Sequence, residues 1–266
     1  MVRVVVDSGC QAPAALVDRL GLTVVPLTVV VDGVAHLEGV DVDADGITAA
    51  LMRGAAVSTS ACSPGQLLAA YSTGGPVLAV HTGGVSSTPA AARLAASMAP
   101  VDVEVVDTGT ASFPVALCAW AAVDVLRSGG SMAEASAAAT GAAAEVGNVF
   151  LVGTLSLARR GGRLAAEVAP SDLPVVALVD SAMRPVAQAA DDVDAVREMT
   201  AYVVAAAAGR RLRLGVGHLG AGDLADELEA ALRSEVEVEQ LVRYVVGPSI
   251  AVHSGVGTVG CVFLPV

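Results

Sequence analysis

Val77-Leu78-Ala79-Val80-His81-Thr82-Gly83-Gly84-Val85-Ser86-Ser87-Thr88-Pro89-Ala90-Ala91-Ala92 is the stretch around which the chain is organised. Val77 to Val80 has the length and residue types of a buried strand. Two glycines follow, then the hydroxyls of Ser86, Ser87 and Thr88. Pro89 suits the first turn of a helix, where its missing N–H removes no bond. Thr88 is therefore expected as the N-cap of a helix running through Ala-rich sequence to about Met98. Strand, glycine turn and helix start together gather free N–H groups and hydroxyls, an arrangement suited to an anion. Spacing alone also fits an ordinary, well-capped βα loop.

The same alternation extends on both sides. Val2–Val6 reads as a first strand ending at Asp7-Ser8-Gly9, and Gly21 stops a helix over Pro13–Leu20. Thr23–Val31 is β-rich, and Asp32-Gly33 is a hairpin signal leading into Val34–Leu37. Pro64–Tyr71 is a helix, Val101–Val106 a strand, and Ala111–Arg127 and Ser131–Val146 are Ala-rich helices. This order favours a mostly parallel sheet flanked by helices, with ligands beyond the strands' carboxyl ends. Asp7-Ser8, the 81–88 loop and Asp107-Thr108 fall there. After residue 150, hairpin and crossover connections mix, which implies an α+β sandwich. The expected fold is α/β in two lobes, residues 1–150 and 151–266, with the ligand at the seam. The 23–57 hairpin region is free in this reading to pack on the other lobe.

Composition narrows the function. The 266 residues are 54% hydrophobic but only 3% aromatic, so Val, Ala and Leu must build the core. A net charge of −12 excludes a nucleic-acid surface. All 15 basic residues are Arg. With no Lys there is no Walker A, Schiff-base or kinase-type ATP lysine. Cys10, Cys62, Cys118 and Cys261 are widely spaced, the pattern of reduced thiols in a cytoplasmic protein rather than a zinc site. The N-terminus reads as a strand instead of a signal peptide, and no segment offers a membrane span.

Several motifs fail on context. Gly215-Val216-Gly217-His218-Leu219-Gly220 and Gly255-Val256-Gly257-Thr258-Val259-Gly260 both match the dinucleotide pattern. The second is followed by a terminal strand, and the first sits too late in the chain to open a nucleotide domain. Asp41, Asp43 and Asp45 resemble the start of a calcium loop, but Met52 stands where the closing Glu belongs, so a solvated acidic turn is the better reading. Gly84-Val85-Ser86-Ser87-Thr88 approaches a nucleophile elbow. The enzyme alternative is accordingly an acyl hydrolase using Ser86 and His253, although Thr88 replaces the final glycine. His36 and His218 have no supporting context.

Six segments in order resemble the DegV family of bacterial fatty-acid-binding proteins. The opening V-V-V-D-S-G-C-Q-A-P, continued by L-G-L-T-V-V-P-L-T-V-V-V-D-G, is similar to the family's start. Ser58-Thr59-Ser60-Ala61-Cys62-Ser63-Pro64-Gly65 resembles its T-T-S-Q-P-S-P-G segment, and Val85-Ser86-Ser87-Thr88 its L-S-G-T. Val106-Asp107-Thr108 resembles the next strand end, Leu157–Leu164 the L-x-x-G-G-R-I element, and Gly247–Gly257 the G-P-x-I-x-x-H-x-G-P-G element. The resemblance implies a fatty acid carboxylate at Thr59, Ser86 and His253, with Ser8, Ser60, Gly84, Ser87 and Thr88 completing the ligand-binding set. It further implies an acyl chain in an apolar tunnel of the second lobe, and no cofactor besides the bound fatty acid. Arg163 would meet a fatty acid kinase subunit that phosphorylates the bound acid, so the chain itself is not an enzyme. Leu173, where the family commonly has Lys, and Ala189–Val193 in place of a basic element, make that docking surface altered and more acidic.

Overall fold

The computed structural model describes residues 1–160, 173–179 and 182–266. In chain order its first elements are β1 (Arg3–Asp7), α1 (Ala14–Leu20), β2 (Leu22–Val25), β3 (Thr28–Val31), β4 (Val34–Leu37), α2 (Ala44–Met52), β5 (Val57–Ser60), α3 (Pro64–Tyr71), β6 (Val77–His81), α4 (Thr88–Met98), β7 (Val103–Asp107), α5 (Phe113–Arg127) and α6 (Met132–Glu145). There follow β8 (Gly147–Leu151), α7 (Leu155–Arg160), β9 (Leu173–Val179), β10 (Ala182–Ala189), α8 (Asp192–Ala207), β11 (Leu212–His218), α9 (Gly222–Glu235), β12 (Val238–Val245), α10 (Pro248–Ser254) and β13 (Val259–Pro265). The chain divides into residues 1–42 with 58–145, and residues 43–57 with 146–266. The boundary read from sequence at 150 falls inside β8, whose hydrogen-bonding partners β9 and β13 both belong to the second unit.

In the first unit, β2, β1, β6 and β7 form a wholly parallel sheet in that order. Strand alternation sends Val5, Val77 and Ala79 into one cluster with Leu67 and Tyr71 of α3 and Ala92 and Ala95 of α4. The other face meets α5 and α6. Alanine dominates these helices because its lack of a side-chain entropy cost suits tight helix packing. Trp120 of α5 carries the Arg19 guanidinium over its ring at 4.2 Å. A smaller sheet, β4-β3-β5, contains the hairpin expected at Asp32-Gly33. Both turn residues have positive φ, 50° and 85°, as the tight hairpin turn demands. The Ser63 hydroxyl and Gln66 form a capping box that starts α3 at Pro64.

The second unit holds the mixed sheet β10-β9-β8-β13-β11-β12. Among its described strands only β11 and β12 pair in parallel, through the crossover helix α9. Val149, Leu151, Val175, Leu212, Leu214, Val216, Cys261 and Phe263 point to one face and pack with α8 and α9. Phe150, Val152, Val176, Leu178 and Met183 make a second apolar cluster. In β8 and β9 its members alternate with the first set, so it lies on the opposite face. Asn148 bridges β8 to β9 beyond their short ladder, receiving the Leu178 N–H and donating to the Leu178 carbonyl. Helix α10 packs on α2 and α7.

Candidate functional site

The 82–88 loop leaves the carboxyl end of β6 and enters α4. Its start is fastened on two sides. The Thr82 N–H and hydroxyl both donate to Asp7, at 2.8 and 2.6 Å, and the Gly83 N–H donates to the Thr110 carbonyl at 2.9 Å. A Cβ on Gly83 would lie 1.7 Å from an Asp107 carboxylate oxygen, so only glycine fits against that loop. Gly84 has φ 65° and turns the chain outward.

At the helix entrance the expected cap is corrected. Ser87 occupies the N-cap position with φ −87° and ψ 4°, not the extended geometry in which a hydroxyl can reach back, and its side chain caps nothing. Ser86 takes that role: its Oγ accepts the Thr88 N–H at 3.1 Å and shares a hydrogen bond with the Thr88 hydroxyl at 2.9 Å. Thr88 is buried, Ser86 half-buried, and Gly84 and Ser87 exposed. Among the described residues, no imidazole is a hydrogen-bond partner of Ser86.

The other expected residues are distributed as follows. Thr59 and Ser60 lie on β5, half-buried and exposed in alternation. Ser8 donates to Glu38 and accepts the Leu27 N–H, so its hydroxyl is committed within the protein. His253 lies half-buried in the last turn of α10, in the second unit. The end of that helix is tied to the β8–α7 turn by the Thr154 N–H donating to the Ser254 carbonyl. Arg163 lies outside the described residues. Asp43 caps α2 and Asp41 accepts the Leu37 N–H, which gives both structural work in the acidic turn.

Sequence reading missed a fully buried histidine in the first unit. His81 ends β6 and is fully buried. Its Nδ1 lies 3.0 Å from Asp7 and its Nε2 lies 2.8 Å from the Tyr71 hydroxyl. The carboxylate requires a proton on Nδ1, so with neutral imidazole the phenol donates to Nε2. Burial holds the Tyr71 phenol well above its ordinary range, keeping that donor protonated. The signal was available: β1 and β6 are parallel and paired at Val6 and Val80, so Asp7 and His81 emerge side by side. Alternation puts both on the face that carries Tyr71.

Each glycine-rich motif contains a glycine that a neighbouring strand requires. A Cβ on Gly217 would meet the Tyr244 ring at 2.2 Å, and one on Gly260 would meet the Phe150 Cβ at 2.3 Å. Their missing side chains are filled by aromatic residues of neighbouring strands. Among the described residues, no helix is long and apolar enough to cross a membrane.

Comparison with known proteins adds four findings. The family model described as an uncharacterised protein of the DegV family matches residues 1–266. A DegV domain-containing protein from Streptomyces coelicolor is 34% identical over 273 residues, covering 98% of this chain and 97% of its own. The solved structure of a fatty-acid-binding DegV family protein from Thermus thermophilus has TM-score 0.93 at 29% identity, covering 100% of this chain and 99% of that one. A DegV lipid binding protein from Thermotoga maritima gives TM-score 0.91 at 22% identity, with 100% and 98% covered, a likeness of fold.

Proposed function

The chain belongs to the DegV family, and from that premise we propose that it binds a long-chain fatty acid without acting on it chemically. Its carboxylate would be met by Thr59, Ser86 and His253, with Gly84, Ser87 and Thr88 shaping the loop beside it. The observation that carries this reading is the whole-chain likeness to the fatty-acid-binding protein of Thermus thermophilus. The loop supports it: glycine backbone, hydroxyls and a helix start are what an anion needs. Burying an acid of sixteen carbons at ~0.8 kcal/mol per CH₂ supplies on the order of 10 kcal/mol before ordering costs. The apolar cluster of Phe150, Val152, Val176, Leu178 and Met183 supports an acyl tunnel in the second unit. A separate kinase subunit would perform any phosphorylation of the bound acid, with Arg163 at its docking surface.

The test is mass spectrometry of an organic extract from purified full chain. The expected result is an intact fatty acid near one per chain, with occupancy lowered in Thr59→Ala, Ser86→Ala and His253→Ala. Unchanged occupancy in all three would overturn the headgroup assignment. Turnover of p-nitrophenyl esters that disappears in Ser86→Ala would replace binding with hydrolysis.

A further inference from the structure

The hydroxyl loop owes its direction to a residue outside it. Asp7 is wholly buried and its carboxylate receives three hydrogen bonds: one from His81 and two from Thr82, the first residue of the loop. Tyr71 holds the far side of His81, so the imidazole cannot rotate away from the carboxylate without losing a second bond. Gly9 closes over the group: a Cβ there would lie 2.6 Å from the Thr82 hydroxyl and 2.7 Å from Asp7 Oδ1. An anion removed from water costs several kcal/mol unless donors surround it, and well-packed apolar residues commonly give equal stability. Stability is therefore a poor account of why a carboxylate stands here. What this arrangement fixes that apolar packing would not is the orientation of the Thr82 peptide, from which Gly83, Gly84 and Ser86 follow.

We propose that Asp7 is a positioning residue for carboxylate recognition, acting through Thr82 and held in place by His81 and Tyr71. It touches no ligand, and it sets where the N–H groups and the Ser86 hydroxyl stand. The proposal rests on the fatty-acid reading above.

The test separates headgroup from tail. Delipidated full chain is titrated with laurate and with 1-dodecanol, which share a tail and differ in the carboxylate. Wild-type protein prefers laurate. Asp7→Ala lowers laurate affinity by roughly tenfold or more, the scale of losing hydrogen bonds to a charged group, and leaves 1-dodecanol within about twofold. Asp7→Asn restores most of the preference, because its oxygen can accept both N–H groups while its amide donates to the Thr82 hydroxyl. Thr82→Val removes only the hydroxyl bond and gives a smaller loss of the same selective kind, which keeps the test decisive if Asp7→Ala does not fold. Affinities for the two probes falling together, in step with the melting temperature, would overturn the proposal. So would a laurate preference unchanged in the folded variants. Wild-type protein with no laurate preference sinks the fatty-acid reading itself, and this proposal with it.

Discussion

Gly217→Ala offers a decisive measurement of what the first glycine-rich motif is for. Gly217 sits opposite Tyr244 in the parallel β11–β12 ladder. A Cβ there would stand 2.2 Å from ring carbon Cζ, 2.5 Å from Cε2 and 2.6 Å from the hydroxyl oxygen. Tyr244 is only 7% exposed, so the ring has nowhere to swing. Overpacking of this kind costs about 1–3 kcal/mol, offset by the ~0.4–1 kcal/mol that alanine gains by restricting the unfolded chain. Tyr244→Ala alone loses a large buried side chain, about 3–5 kcal/mol by analogy with phenylalanine. In the double variant the added methyl meets no ring, so the combined loss should fall short of the sum by about 1–3 kcal/mol. Urea denaturation followed by far-ultraviolet circular dichroism, with hydrogen exchange of residues 212–218 as the local readout, measures all three. Strict additivity would refute the argument that glycine is there for the ring and would reopen a ligand role for the motif.

Tyr71→Phe leaves His81 Nε2 buried without its partner, and urea midpoints should register a loss of about 1–3 kcal/mol; a neutral result would show that water reaches the imidazole. Burial pushes the Cys10 and Cys118 thiols up to about 12 and raises Cys62 and Cys261 as well. Iodoacetamide at mildly alkaline pH should consequently label none of the four in folded protein and all four in urea, and rapid native labelling would contradict this packing. Glu134 accepts the Ser131 N–H and hydroxyl at the start of α6, which lowers its pKa from the usual 4.5. Its contribution is complete above that unfolded value and disappears as pH falls through the lower folded one. Amide protection in the first turn of α6 should fall over that acidic range and become flat in Glu134→Gln.

Much of the architecture was legible because local signals agreed with one another. Pro64, preceded by a capping serine, marked the start of α3, and Asp32-Gly33 marked a turn that needs two positive φ angles. The strand–glycine–hydroxyl–proline order located the loop correctly. It misassigned the cap because Ser86, Ser87 and Thr88 are chemically interchangeable in sequence and differ only in backbone angle. The place of β8 in the mixed sheet is set by its pairing with β13, more than a hundred residues later, because Val149 and Leu151 are equally apt in either sheet. His81 escaped for a related reason. At the end of an apolar strand it resembles a stray polar residue, and its partner Asp7 lies 74 positions away. Parallel register, invisible along the chain, brings the two together.

The rim formed by β10 has a consequence for solubility. Its pairing with β9 shifts between Pro185 and Ala187, and this bulge transfers the inward positions from Met183 on one face to Ala187 and Ala189 on the other. Pro185 also removes a backbone donor from a strand that, among the described residues, has no neighbour in the sheet beyond it. An outer strand that is kinked and short of a donor is a poor template for another chain. Straightening it, by deleting the extra residue and replacing the proline with valine, would leave a continuous ladder of open amides to which further copies could add.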